Sequence, residues 1–542
     1  MFIYKKPPRS HALGEPLLHE NHPRPRTRRE FIGAGLLSGP AMVMAPAWLG
    51  ALLRANRANA GGLDPDINAL LASTQCDVPL AGAGLPFICF DLAGGANLVG
   101  SEVIVGQSGG QSNFLTTAGY GLLGVPGNMV PSSSANIDPS LGLLWHADGA
   151  IKRGIMSVIA PATANGVNGA VICAMSQNDT QTNPHNPMYG IADAGRTGQL
   201  LTLIGTESSV SGGNSQAPME LINPALQPTV ISQPSDATAL VPVPPGGHQD
   251  PLSVATLESQ ARISGGTALQ PSSTDNTAFG GALSLPSGSN PGVQLDANAV
   301  TDAQLKNQVR CAYVKAANTS NTFGSPAALD PTQDPIIQAI VKSTGLTFQD
   351  SDVAKTATVM KMVLHGFAGA GTITMGGYDY HDGTRATGEM RNFKAGQMIG
   401  MVLQYAATVQ PAPVPVMIYV FSDGSLNANG MVDNSAGGRG KLGWQGDNSS
   451  VASTFFLAYS PKGRPALRGA ASTQQIGYFT PDGNVVSTSS PAANSVDSLV
   501  YTVLLNYMGL SGTDGTFGAT FPMQTLGAGA TLANLTVFQP IV

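Results

Sequence analysis

The sequence predicts an α/β fold, with a central, mostly parallel sheet covered by helices on both faces. Apolar runs alternate with stretches of helical spacing along most of the chain. Several of those runs are continuously apolar, as strands buried on both faces are. Three of them also end the same way. Leu85-Pro-Phe-Ile-Cys-Phe-Asp91 closes on an acid and then Gly94-Gly95, and Pro415-Val-Met-Ile-Tyr-Val-Phe-Ser-Asp423 closes on an acid and Gly424. The third, Thr372 to Met375, breaks at Gly376-Gly377 and is followed by Asp379 and His381. Ligands of open α/β sheets bind outside the carboxyl ends of the strands, so these three ends mark the expected site.

The elements follow in chain order. Thr27-Arg28-Arg29-Glu30-Phe31-Ile32 matches the twin-arginine export pattern. A Gly/Ala-rich apolar run, Ile32 to Leu53, and the small-residue triplet Ala58-Asn59-Ala60 complete a cleavable signal over residues 1–60. Without it the chain carries 18 basic and 30 acidic residues, a net charge of −12. That excludes a nucleic-acid backbone as partner, since such binders need basic patches. No later run approaches the twenty apolar residues of a membrane span, so stable membrane insertion after cleavage is not expected. Charged residues make up only 11% of the chain, with Gly, Ser, Thr, Asn and Pro in their place, the composition of a loop-rich exported protein. Cys89 and Cys173 fall inside expected strands. Cys76 and Cys311 remain free to pair in an oxidising compartment, which spacing alone does not decide.

Residues 61–207 are expected to form the first part of the α/β domain. A strand over Leu85–Leu92 leads into a Gly/Ser/Asn-rich loop, then a helix over Leu141–Arg153 and strands over Gly154–Ala160 and Ala170–Met175. A polar loop, Ser176 to Pro187, then opens a helix. Residues 208–360 read as an insertion or cap with helices at 301–317 and 331–344, of which 208–300 is expected to be irregular and outside the sheet. The core pattern returns over 361–542, with a long helix near 385–409, strands at 415–421 and 453–459, and a helix near 495–508.

Candidate site residues come from the strand ends. Asp379 and His381, two residues apart, can point at one metal or one substrate oxygen, although Asp379 also suits a cap for the helix expected near Thr384. Asp91 and Asp423 read equally as turn residues. His146, His248 and His365 read as structural or exposed.

In this order the pieces resemble a twin-arginine-exported bacterial family of unknown function related to the alkaline phosphatase and sulfatase superfamily. Gly376-Gly-Tyr-Asp-Tyr-His381 matches that family's G-G-W-D-x-H, and Asp91 with Gly94-Gly95 matches its opening strand more loosely. Thr182-Asn-Pro-His185 stands where the family has S-R-S-H, and Phe421-Ser-Asp-Gly424 where it has S-E-F-G. Asp447-Asn-Ser449 stands where it has D-H-G, so Asn448 replaces an imidazole. The resemblance implies an alkaline-phosphatase-like fold and a divalent metal (zinc, calcium, manganese or magnesium) held by Asp91, Asp379, His381, Asp423, Asp447 and Asn448. It also implies catalytic roles for Thr182 and His185.

Two function classes follow. One is a periplasmic or secreted metal-dependent hydrolase acting on a small anionic ester. The other is a non-catalytic protein that keeps the fold and binds a periplasmic protein partner. The signal makes the first prediction: mass spectrometry of the exported protein finds Gly61 at its N-terminus, and a product retaining Ile32–Leu53 contradicts cleavage.

Overall fold

The computed structural model describes residues 63–72, 84–176, 183–241, 257–262, 309–314, 317–318 and 326–542. The expected 1–60 leader, Cys76, Thr182 and most of 242–325 lie outside them. Among the described residues, no helix is long and apolar enough to cross a membrane.

The main unit comprises residues 72–239 and 325–542. Apart from a short pair formed by Ile137–Asp138 and Trp145–His146, its strands, in chain order, are β1 (Phe87–Leu92), β2 (Val167–Cys173), β3 (Leu201–Gly205), β4 (Thr229–Val230), β5 (Ala368–Met375), β6 (Val416–Ser422), β7 (Leu426–Val432), β8 (Leu442–Asp447), β9 (Ser453–Tyr459) and β10 (Gln475–Ile476). Eight of them form one sheet in the order β10-β2-β9-β6-β1-β5-β3-β4. Only β9 runs against its neighbours, antiparallel to both β2 and β6. The fold is therefore α/β with a large, mostly parallel sheet. β1 lies between β5 and β6, parallel to both, so Asp91 is in register with Thr374 and Phe421. The three strand ends singled out from the sequence are adjacent and open on the same side.

All six residues of β1 are buried, because helices cover both faces. Phe87 and Cys89 pack with Leu499, Val503 and Leu504 of the helix Val496–Ser511. On the neighbouring strand, Gly371 faces Val359 and Val363 of the helix Ser351–Leu364. That second helix was not expected from the sequence. Its start is written in Asp350, whose carboxylate accepts from the Asp352 and Val353 amides, an N-cap that holds two otherwise unpaired donors. The helix Ala386–Thr408 agrees with the expected 385–409.

The expected helix over Leu141–Arg153 and strand over Gly154–Ala160 are corrected. Trp145–His146 is a short strand, and the helix is α1 (Ala150–Met156). The cause is a backbone-to-backbone approach. A Cβ on Gly154 would lie 2.1 Å from the Phe393 carbonyl oxygen, and one on Gly396 would lie 2.0 Å from that of Ile151. Two glycines let α1 press onto the long helix, and hydrophobic periodicity does not register such a contact.

The 208–360 segment is corrected too. β4 (Thr229–Val230) pairs with β3 and forms the edge of the main sheet, so the irregular stretch does not lie wholly outside it. The unit boundaries fall at 239/240 and 324/325, inside the span expected as one insertion. The smaller unit combines residues up to 71 with 240–324. In it Leu63, Ile67, Ala261, Val314 and Ala317 form a small buried cluster, and Arg262 pairs with Asp64 and Asp66. Cys311 is disulfide-bonded, whereas Cys89 and Cys173 are free and buried.

The glycine contact gives the second prediction. Gly154→Ala lowers the free energy of unfolding by about 3 kcal/mol in urea titrations, because inserted volume against fixed backbone has nowhere to go. Gly515→Ala, where a Cβ meets nothing within 4 Å, changes it by about 0.5 kcal/mol or less. Equal effects of the two would contradict the close approach.

Candidate metal centre

The centre begins with two tyrosines. After β5 ends, Gly377 turns the chain with φ at +85°, a conformation that favours glycine. Tyr378 and Tyr380 then point inward and are buried. The Tyr378 hydroxyl donates to the Arg391 carbonyl at 3.0 Å. The Tyr380 hydroxyl donates to Asn392 Oδ1 at 3.0 Å and accepts from the Asn97 amide at 3.2 Å. In extended backbone alternate side chains face opposite ways, so pinning both tyrosines inward turns Asp379 and His381 outward. They are 56% and 42% exposed, with His381 Nε2 2.7 Å from Asp379 Oδ1.

Asp447 arrives from elsewhere. It ends β8, whose partner β7 runs antiparallel to it in a two-stranded hairpin. The sequence pattern did not reveal that hairpin. Ligand atoms of Asp379, His381 and Asp447 all lie within 4.8 Å of one another. Two carboxylate oxygens and one imidazole nitrogen fit a divalent cation. The loop after β1 is shaped to the same group. Gly94 has φ +118°, and a Cβ there would lie 2.5 Å from the Asp379 amide nitrogen. The cation would be held by these three side chains, all exposed.

Asp91 and Asp423 do not belong to that group. Both are buried and tied to a loop that the sequence reading left in the irregular segment. Asp91 accepts from the Ser215 amide at 2.8 Å and faces its hydroxyl at 3.3 Å. Burial pushes its carboxyl up to about 6, against the pull of those hydrogen bonds. Asp423 accepts from the Gly94 amide at 2.8 Å and from Asn214 Nδ2 at 3.1 Å. Two consecutive residues, Asn214 and Ser215, thus secure both carboxylates. The only sequence signal for this was Ser211-Gly-Gly-Asn-Ser215, a turn-rich stretch next to β3.

His185 is buried under the same region, its ring stacked on Phe421 at 5.8 Å. Its Nε2 lies 3.4 Å from Ser176 Oγ, while its Nδ1 is buried without a hydrogen-bond partner. Burial pushes the imidazole down to about 3, so it is neutral at physiological pH. Ser176 and Asn183 both donate to the Asp423 carbonyl. Asn448 is occupied as a cap, its Oδ1 accepting from the Ser450 amide and hydroxyl. Thr182 lies outside the described residues.

Comparison of the chain with protein-family models, curated proteins and solved structures yields no match.

Asp91 supplies the third prediction. A carboxyl whose pKa rises on folding stabilises the fold below its unfolded value of 3.8 and loses that contribution as pH climbs through about 6. In chelator-treated protein, the stability of the wild type relative to Asp91→Asn therefore falls by about 1–3 kcal/mol between roughly pH 4 and pH 7. A pH-independent difference in denaturant midpoints means that folding does not raise the pKa of the carboxyl.

Proposed function

We propose that the chain is an exported, alkaline-phosphatase-like, metal-dependent hydrolase of phosphate or sulfate esters, acting in the periplasm or outside the cell. The observation that carries this is the exposed Asp379–His381–Asp447 group beside the carboxyl end of β5. Closed structural metal sites use four protein ligands, whereas catalytic sites keep a position open for water or substrate. Three side chains facing solvent fit the second kind. Zinc, manganese, magnesium and calcium all suit such a donor set. Bound metal would neutralise the anionic ester and polarise one of its oxygens.

The remaining roles fall to the chain itself. Asp379, His381 and Asp447 hold the cation. Thr182 supplies the hydroxyl at the position where the resembled family has serine. His185, which the resemblance makes catalytic, is buried, neutral and stacked on Phe421, so its imidazole has a packing role. The small anionic ester enters from the solvent side.

A second reading, a non-catalytic protein that retains the fold to bind a periplasmic protein partner, is favoured by Asp91 and Asp423. Both acids expected at the centre are committed to Asn214, Ser215 and Gly94. Metal analysis with phosphatase and sulfatase assays on the mature protein and on Asp379→Ala separates the two. The hydrolase reading expects bound metal and ester turnover in the wild type. The variant is expected to lose both, with turnover reduced by about 100-fold or more, a loss of about 3 kcal/mol or more in transition-state stabilisation. Metal without turnover establishes the second reading, and a chain that holds no metal removes the first.

A further inference from the structure

A second cluster of polar side chains lies at the other end of the sheet. Asp334 caps the helix Pro335–Ser343, its Oδ1 accepting from the Ile336 and Ile337 amides. Its Oδ2 accepts from Tyr405 Oη at 2.7 Å and from Lys361 Nζ at 3.0 Å. Burial works against that carboxylate, and Tyr405 and Lys361 outweigh it, holding it below its usual range. The fourth member is His365, whose Nε2 lies 2.8 Å from Tyr405 Oη and whose ring stacks on Phe367 at 5.1 Å. Lys361 and His365 precede β5 and Tyr405 precedes β6, whereas the metal centre follows β5. The 8 residues of β5 separate the two, roughly 25 Å at the rise of a strand.

The proton positions follow from the partners. Tyr405 has one proton and Asp334 accepts it, while burial and that carboxylate push the phenol up. His365 Nε2 must therefore donate to Tyr405, which leaves Nδ1 as an acceptor. Burial and the Lys361 charge hold the imidazole below its usual range, so it is neutral at pH 7. The Lys361 ammonium has three donors, and among the described residues it bonds Asp334 alone. The His365 amide donates to the Lys361 carbonyl one turn back, so the two side chains share a face.

Asp334, Lys361, His365 and Tyr405 border a cavity of about 290 Å³. It shares Pro335 and Ile336 with an adjoining groove of about 610 Å³ walled by Ala339, Ala407 and Pro413. An apolar hollow with a few convergent polar groups is the usual form of a small-molecule site. At the polar end Lys361 and Asp334 cancel, so an ionic ligand would bring an uncompensated charge into a partly buried space. An alkane would leave the His365 acceptor and the remaining Lys361 donors unpaired. A hydroxyl donates and accepts at once, and it serves both without changing either protonation state. We infer that this cavity binds a small neutral alcohol, with its hydroxyl between His365 and Lys361 and its apolar body along Ile336, Ala339 and Ala407. The site uses none of the metal centre's residues and does not rest on the hydrolase reading.

Titration of 1-hexanol into the purified protein tests it, followed by NMR of nitrogen-15-labelled histidine, with hexanoate and hexylamine as charged probes of equal length. The wild type is expected to bind 1-hexanol with a dissociation constant on the order of 1 mM, the scale for so few non-hydrogen atoms, and to shift the His365 Nδ1 signal. Ala339 is exposed, so Ala339→Phe fills the groove without disturbing the core and weakens binding by about 10-fold or more. His365→Gln keeps a donor toward Tyr405, removes the Nδ1 acceptor and weakens binding about 10-fold, the scale of one hydrogen bond. Both variants are expected to match the wild type in metal content and circular dichroism. Equal affinity for 1-hexanol in the wild type and Ala339→Phe, or no binding by the wild type, overturns the site. Tighter binding of hexanoate or hexylamine than of 1-hexanol overturns the neutral hydroxyl. If His365→Gln does not fold, the His365 shift in the wild type and the affinity of Ala339→Phe decide the matter.

Discussion

Three parallel strands that end together must satisfy their loops with one another, and this constraint organises the site. Past the last ladder pair of β1, β5 and β6, backbone groups are still buried and need partners. They find them across the three loops. The Ala93 amide donates to the Met375 carbonyl, the Tyr378 amide to Ala93, and the Gly424 amide to Gly94. Ser422 Oγ donates to Leu92 and accepts from the Ala96 amide. The Asp423 carboxylate closes the set on the Gly94 amide. Gly94 thus has Asp423 on one side and Asp379 on the other, a buried acid and an exposed one that follow the two strands flanking β1.

A buried charge network lies beside the hairpin that ends at Asp447. Arg385 and Glu389 open the long helix, and Lys441 opens the hairpin strand that ends at Asp447. Glu389 accepts from Lys441 at 2.8 Å and pairs with Arg385 and Arg153. Burial works against its ionisation, and Arg385 and Lys441 outweigh it, holding the carboxyl below its usual range. Glu102 lies on the other side of Asn392, and there burial wins and the carboxyl is raised. Arg385 also stacks 4.4 Å from the Trp444 ring. Buried ion pairs of this kind add little net stability. Their effect here is geometric, since they fix the helix, the hairpin and the Tyr380–Asn392 contact in one arrangement.

What the sequence made legible and what it hid divide along physical lines. The ends of β1, β5 and β6 were legible because continuous apolar runs mark fully covered strands, and glycine marks their ends. Asp379 and His381 came with them. The helix Ser351–Leu364 is buried almost all round, so its polar stripe, the usual sign of a helix, is faint. Asn214 and Ser215 were hidden because their role is to meet acids from distant segments, and a one-dimensional pattern does not record that meeting. Asp91 and Asp423 were legible as a pair but not as a buried pair. Burial depends on what covers them, and the covering loop looked like linker.

The central position of β1 also has a consequence for how the chain comes into being. Cys89 of β1 meets Thr372 across 283 residues, and Gly94 meets Asp423 across 329. The innermost strand is thus synthesised early, while both of its neighbours are made only in the last third of the chain. Contacts of such sequence separation are slow to form, and exposed strand edges invite aggregation in the meantime. The sheet cannot close on a nascent chain; it closes once synthesis is nearly finished. The middle of the sheet is thus assembled last, when both of its neighbours have been made.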